Sequence, residues 1–339
     1  MNHYHRPMEP VRLTGREFVA ALRAGEAAEL LGHDSGRVAL VDGDEAPDVL
    51  GPESTDALET LPALVVGVVT DPGSRRPEWA DLVVGPGSAA LATTLETVAR
   101  APLASASLAV LMRTGHRRSV PEGLVAESTA YGLLQGGPEF AAWRRHQPPR
   151  PRRRTPAPGP EVLVTRRDDE LSITLNRPDV LNAFDAAMRD ELLATLRVAS
   201  LDPSITSVVL DGAGDSFCSG GNLDEFGSRP DPVTAHLVRL QRNCGRALAE
   251  VADRTTIRIH GSTVGSGIEL AAFAHRVVAA PSARIFLPEV HLGLIPGAGG
   301  TVSLPRRIGR HATMLLALGL PSIDADTALA WGLVDEVEA

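Results

Sequence analysis

Apolar positions follow two different rhythms along the chain. In residues 1–146 they recur mostly at helical spacing. Thr14 to Leu31 reads as one helix with Phe18, Leu22 and Leu30 on one side. Ala89 to Ala101, Leu103 to Met112 and Gly123 to Gln135 read as further helices rich in Ala and Leu, and Pro138 opens another. Only Arg37 to Val41 and Ala63 to Val69 look like short buried strands in this stretch. From Glu161 onward strands and helices alternate. Leu171 to Leu175 (LSITL) is a strand ended by Asn176-Arg177-Pro178. Asp185 is a candidate N-cap for a helix to Val198, which carries Met188, Leu192 and Leu196 on one face. Ser207 to Leu210 and Thr256 to Ile259 are strands, and Pro232 to Val251 reads as one long helix. A βαβ rhythm with short apolar strands predicts an α/β layer. Between the two halves lies Gln147 to Pro160, QPPRPRRRTPAPGP, whose prolines exclude helix and interior strand and mark a linker.

Composition changes this picture little. The 339 residues are 43% hydrophobic and 22% charged, which is ordinary for a globular chain, and aromatics are scarce at 4%. A net charge of −9 argues against nucleic acid or an anionic membrane as partner, so the linker arginines Arg150, Arg152, Arg153 and Arg154 read as solvated. Two cysteines, Cys218 and Cys244, are too few for a disulfide framework and fit a reducing, cytoplasmic setting. The first residues have no apolar signal core, and no run reaches the length of a membrane span. His3 and His5 stand near a terminus and do not form a ligand set.

Candidate chemistry concentrates between Thr256 and Thr301. Glu269 and Glu289 each sit among apolar neighbours beside glycine-bearing turns, and a carboxyl buried there must be protonated, paired or used. Three such turns, 212–221, 261–267 and 293–300, follow strands. None completes a dinucleotide fingerprint, because Phe217, Leu270 and Val302 stand where its third glycine belongs, and no P-loop lysine follows. Any one of these turns is equally explained as a tight turn. Two of them facing each other would aim backbone N–H groups at one oxygen. The first half offers no acid–base pair: Glu127 reads as a charge on a helix face, and residues 1–146 read as structural.

Five segments together resemble one known family. They are LNRPDVLNAF (Leu175–Phe184), FCSGGNLDEF (Phe217–Phe226), HGSTVGSGIELAAFAH (His260–His275), FLPEVHLGLIPGAGGTVSLPRRIG (Phe286–Gly309) and ALAWGLVDEV (Ala328–Val337). In order and spacing they resemble the crotonase (enoyl-CoA hydratase/isomerase) superfamily over about residues 161–338. The resemblance implies a ββα superhelical core with a helical cap. It implies an acyl-CoA thioester as substrate, with its oxygen held by the N–H groups of Gly221 and Ser266. Glu269 and Glu289 match the family's two glutamates, the first activating a water and the second protonating the α-carbon, so that water adds across a 2,3-double bond. Gly297 would lie by that water, and main chain near Leu181, Ala183 and Ser219 would meet the adenine end of CoA. No metal or redox cofactor is implied, and the family suggests a homo-trimer or hexamer.

The chain also departs from the family pattern. Ser266 stands at a usual glycine, where its side chain could crowd the thioester or demand another backbone angle. Asn222 replaces an aspartate, and His275 an acid. Cys218 lies close to the oxyanion loop and reads as an inert buried thiol. The family also continues, beyond the GLVDEV segment, into helices that cover the site. Trp79 to Val84 (WADLVV) faintly echoes Trp331 to Val337, and GLVAESTAYGLLQGGPEFAAWRRHQPPR resembles the family's terminal helices. Residues 1–146 are therefore expected to be a worn copy that supplies the cap. A double-bond isomerase, or a non-catalytic acyl-CoA-binding scaffold, stands as the competing reading.

Overall fold

The computed structural model describes residues 9–31, 37–147, 159–228 and 231–338. His3, His5 and the four linker arginines lie outside the described residues, as does the linker except at its ends.

The first half carries a parallel sheet. β1 (Val11–Thr14) leads through α1 (Gly15–Ala24) and α2 (Ala27–Leu31) to β2 (Arg37–Asp42). Then come α3 (Pro52–Thr60), β3 (Ala63–Val68) and β4 (Leu82–Val84). The four strands pair in chain order, all parallel. β3 is buried almost throughout, as a strand covered on both faces must be. Phe18, Leu22, Leu58 and Trp79 pack together on one side. Four helices follow: α4 (Ala89–Arg100), α5 (Pro102–Arg113), α6 (Val120–Gln135) and α7 (Pro138–His146). α5 covers β3 and is pinned there by Arg113. Its Nε and Nη2 donate to the two carboxylate oxygens of Asp81 at 2.9 and 2.7 Å. The remaining N–H groups reach the carbonyls of Leu58, Leu61 and Ala63.

The expected helix over Thr14–Leu31 is two helices. Thr14 and Glu17 cap the start of α1 reciprocally, and Gly25 ends it in the left-handed conformation, φ 72°. That break turns Leu30 outward, 45% exposed, while Phe18 and Leu22 are buried.

The second half supplies β5 (Val162–Arg167), β6 (Glu170–Leu175), α8 (Ala186–Leu201) and β7 (Ser207–Gly212). The expected long helix from Pro232 is broken into α9 (Pro232–Gln241) and α10 (Cys244–Glu250). At the break Asn243 caps α10 by accepting from the Arg246 N–H at 2.8 Å. β8 (Thr255–Ile259), β9 (Ser262–Val264), α11 (Ser266–Ala271), β10 (Arg276–Ala279) and β11 (Arg284–Phe286) come next. α12 (Gly300–Leu318), β12 (Ile323–Asp324), α13 (Ala325–Trp331) and β13 (Glu336–Val337) complete the chain. One sheet has the order β13-β10-β8-β7-β6-β5, parallel except for the β5–β6 hairpin. A small sheet has the order β12-β11-β9. β8 joins the large sheet, β9 the small one, and α11 follows. β10, β11 and α12 repeat the step, so the chain advances as a ββα spiral.

Both halves share one core. Leu64, Leu108 and Leu124 belong to the same apolar cluster as Leu192, Ile268 and Met314. α12 is the main contact, packing on β4, α4, α5 and α6 as well as on α11. Beyond its kink at Gly309, Arg310 donates to the Ala80 carbonyl at 3.0 Å, and His311 Nε2 lies 2.8 Å from the same oxygen. No single helix among the described residues is long and apolar enough to cross a membrane.

Candidate active site

The site forms where two glycine-bearing turns meet the start of α12. After β9, Gly265 takes φ 48°, ψ −117°, a backbone state closed to most L side chains, and α11 begins at Ser266. Space is a second constraint there, since a Cβ on Gly265 would stand 2.3 Å from Glu289 Oε1. Glu269, in the first turn of α11, sends Oε2 to the N–H groups of Ala298 at 2.7 Å and Gly300 at 2.8 Å. A second carboxylate takes the amides between them. Glu127 of α6 accepts from the Gly299 N–H at 2.7 Å, and from the Thr301 N–H and Oγ1 at 2.9 and 2.8 Å. Four successive amides at a helix start, which have no partners within the helix, thus alternate between carboxyls from the two halves of the chain.

Glu289 sits in the 3-10 turn Glu289–Leu292 that follows β11, and its Oε2 is buried without a hydrogen-bond partner. All three carboxyls hold their protons more tightly than usual, burial being the main cause. Glu269 is raised to about 7, although the amides of Ala298, Gly300 and Gly297 favour its ion. Glu127 is raised to about 8, with the charge of Glu269 adding to burial and bonds from Thr301 and Gly299 opposing it. Glu289 is raised well above the carboxylate range by burial, then by the charge of Glu269 and more weakly by that of Glu127.

Gly221, Ser266, Glu269, Glu289 and Gly297 all line one cavity of about 600 Å³. Gly221 bridges to Phe184, and the amides engaged around that bridge are those of Phe184 and Asn222 on either side. Ser266 opens α11 at ordinary negative φ, so the serine demands no unusual backbone angle, and its buried Oγ carries no hydrogen bond. Leu181, Ala183 and Ser219 lie together, the Ser219 N–H donating to the Leu181 carbonyl at 2.9 Å. They are not among the cavity's lining residues, whereas neighbouring Phe184 and Asp185 are. Leu181 and Asn182 adopt left-handed φ of 55° and 53°. Asn182 holds that turn through the Arg177 N–H and the carbonyls of Ala213 and Ser216.

The first half is more than structural. Tyr131 of α6 lines the cavity, and its ring lies so close to Gly297 that a Cβ there would stand 2.4 Å from it. Arg239 of α9 stacks on that ring, 4.6 Å from its centroid, and lines the same cavity. The helix-face reading of Glu127 is likewise corrected, since the residue is 1% exposed and turned into the protein. The sequence held a signal for it: Glu127 lies midway along a stripe of Gly123, Leu124, Tyr131 and Leu134, all buried. Tyr131 belongs to the same stripe, whereas Arg239 had no comparable signal. Cys218 is buried, and desolvation pushes its thiol up to about 11, well away from a reactive thiolate. His275 is exposed at the end of its segment.

Residues 169–339 match the family profile described as enoyl-CoA hydratase/isomerase. The 2,3-dehydroadipyl-CoA hydratase of Escherichia coli K12 is 35% identical over 52% of this chain and 69% of its own length. The 1,2-epoxyphenylacetyl-CoA isomerase of the same organism is 36% identical over 49% of this chain and 65% of its own. The crystal structure of an enoyl-CoA hydratase from Thermoplasma volcanium GSS1 is similar at 32% identity and TM-score 0.49. That match covers 53% of this chain and 72% of the other. The segment common to this chain and these relatives is thus about two thirds of each relative's length.

Proposed function

Because this chain belongs to the enoyl-CoA hydratase/isomerase family, we propose that it adds water across the 2,3-double bond of an enoyl-CoA thioester. The observation that carries this reading is a single cavity wall holding two buried carboxyls in unlike settings beside Gly221 and Ser266: Glu269 accepts from two backbone amides, and Glu289 Oε2 has no hydrogen-bond partner. Amides of Gly221 and Ser266 hold the thioester oxygen, so that the carbonyl draws electrons from the double bond. Glu269, whose ionised form the amides of Ala298 and Gly300 favour, is the base. It takes a proton from water as the water oxygen bonds to C3. The electron pair of the double bond moves toward the thioester, giving an enolate held by the two amides. Glu289, which keeps its proton, then protonates C2. Proton exchange with solvent resets the pair.

No cofactor enters this scheme beyond the coenzyme A of the substrate, whose adenine end meets main chain near Leu181, Ala183 and Ser219. Helices α4 to α7 serve as the cap over the site, on the same proposal. This is supported by the packing of α12 on α4, α5 and α6 and by the reach of Glu127 and Tyr131. β4, which follows Trp79, and β13, which follows Trp331, each end a parallel set of strands, in keeping with a worn internal copy. A cytoplasmic assembly of three or six copies completes the proposal, and light scattering of the purified protein tests its size.

The central experiment follows the conjugated thioester absorbance of crotonyl-CoA. Its loss is expected with the intact protein, and Glu269→Gln and Glu289→Gln should each slow it by roughly 100- to 10,000-fold. Turnover unchanged in both variants would end the two-glutamate scheme. Conversion of a 3-enoyl-CoA to the 2-enoyl thioester without hydration would instead make the chain an isomerase, and binding without turnover a scaffold.

A further inference from the structure

We infer that the acyl pocket is built for a substrate whose acyl chain ends in a carboxylate, with Arg239 as the residue that selects it. This inference rests on the acyl-CoA reading of the cavity and concerns only the far end of the acyl group.

Four arginines line the cavity: Arg144, Arg189, Arg239 and Arg242. Arg189 and Arg242 both pair with Asp190, and exposed Arg144 donates to the Gly227 carbonyl. Arg239 differs from all three. It is largely shielded from water, and desolvation weakens its hold on its proton. No carboxylate among the described residues forms an ion pair with it. Its contacts are neutral: Nε to Ser128 Oγ at 3.0 Å, Nη1 to Gln135 Oε1 at 3.0 Å, and Nη2 to the Ser128 carbonyl at 3.2 Å. A guanidinium has five N–H groups, so these three bonds leave one on each terminal nitrogen, the pair that a carboxylate engages bidentately. Glu127 acts on this shielded cation only from a distance, without an ion-pair contact, and a substrate anion would supply a counter-charge in contact.

Position decides which part of the substrate that is. Arg239 stacks on Tyr131, whose ring presses on Gly297, beside the amides that hold Glu269. The guanidinium therefore stands one aromatic ring from the reacting carbons. The loop at Leu181 and Ser219, assigned above to the adenine end, lies outside the cavity lining. An acyl chain entering past Glu269 and Glu289 would run along Tyr131 and end at Arg239. Ser128 and Gln135 of α6 hold the guanidinium in place, so the cap helix takes part in selecting the substrate.

The test is a binding comparison that needs no turnover. Adipyl-CoA and hexanoyl-CoA have acyl chains of equal length and differ only in the terminal carboxylate. Calorimetry on the full chain should find adipyl-CoA bound about ten- to a hundredfold more tightly, the range of a charge-assisted hydrogen bond. Arg239→Gln should bring the ratio close to one, and Arg239→Lys should keep part of it. Equal affinities in the intact protein would overturn the inference. So would a ratio unchanged by Arg239→Gln, whether because the arginine meets the phosphates of CoA or because it is only a strut between α6 and α9. A preference for adipyl-CoA without hydration of any enoyl-CoA would uphold this inference while sinking the hydratase reading.

Discussion

Alternating capture of the Ala298–Thr301 amides by Glu269 and Glu127 ties the proton affinity of the site to α6. Both carboxyls have folded-state values raised above 4.5, Glu269 to about 7 and Glu127 to about 8. The native state therefore keeps protons that the unfolded chain releases, and by linkage their contribution to stability is full below about pH 4.5 and lost as pH rises toward 8. The melting temperature should accordingly fall across that range, and Glu127→Gln, which cannot ionise, should flatten the slope. The same change removes a negative charge that raises Glu289. The alkaline limb of the hydration rate should then move to lower pH, a shift that loss of packing alone would not produce. Gly297 offers a steric test. Gly297→Ala would drive a methyl into the Tyr131 ring, and displacements of about 1 Å near reacting atoms cost on the order of 100-fold in rate. Crotonyl-CoA hydration should fall by that order, and adding Tyr131→Ala should restore part of it. Glu269 and Glu289 were legible in the sequence because each sits inside a long motif of fixed spacing. The apolar stripe of α6 hinted that Glu127 is buried, but its hold on the start of α12 was not legible, because those partners lie more than 170 residues away in the chain.

At the scale of elements, local chemistry was readable where side chains cap their own helix. Asp185 caps α8 as its position suggested, accepting from the Met188 N–H at 3.0 Å. The misjudged elements were those in which a single residue interrupts a continuous apolar pattern. Gly25 splits the first helix and Asn243 splits the ninth from the tenth, because periodicity persists across a break that only backbone angles reveal. The strand at Val11–Thr14 escaped notice because it is only four residues long and alternates half-buried with exposed positions. One tertiary anchor had no sequence signature. The Arg113–Asp81 pair is buried at 1% and 0% side-chain exposure and fixes α5 on β3. Such pairs are costly to break singly, because the surviving charge stays buried. Arg113→Leu should destabilise the protein by about 3–5 kcal/mol, read as a lower urea midpoint at unchanged m-value. A loss below 1 kcal/mol would mean that Asp81 finds water or a proton without cost.

At the scale of the molecule, the alternation of strands and helices announced an α/β layer over residues 161–339, and the family resemblance implied its spiral, but nothing in the periodicity of residues 1–146 announced a four-stranded parallel sheet. β1 and β4 are too short to register, and the two strands that do register carry no sign of their parallel pairing. The dependence of one half on the other was visible only through the faint echo of Trp79–Val84 and the terminal-helix pattern after Gly123. Leu124 and Phe140 pack into the same core as Ile268 and Leu294, so residues 160–339 alone would expose the apolar faces of α12 and leave the amides of Gly299 and Thr301 without Glu127. If α4 to α7 act as the cap, that fragment should be poorly soluble or, when soluble, should hydrate crotonyl-CoA at least about 100-fold more slowly than the full chain, by the loss of positioning alone. Co-expression with residues 1–146 should then recover activity, because the interface is a packed core and not a covalent requirement. A soluble 160–339 fragment with the full chain's rate would show that Glu127 and Tyr131 are dispensable to the geometry they contact, and would leave the first half without a part in the reaction.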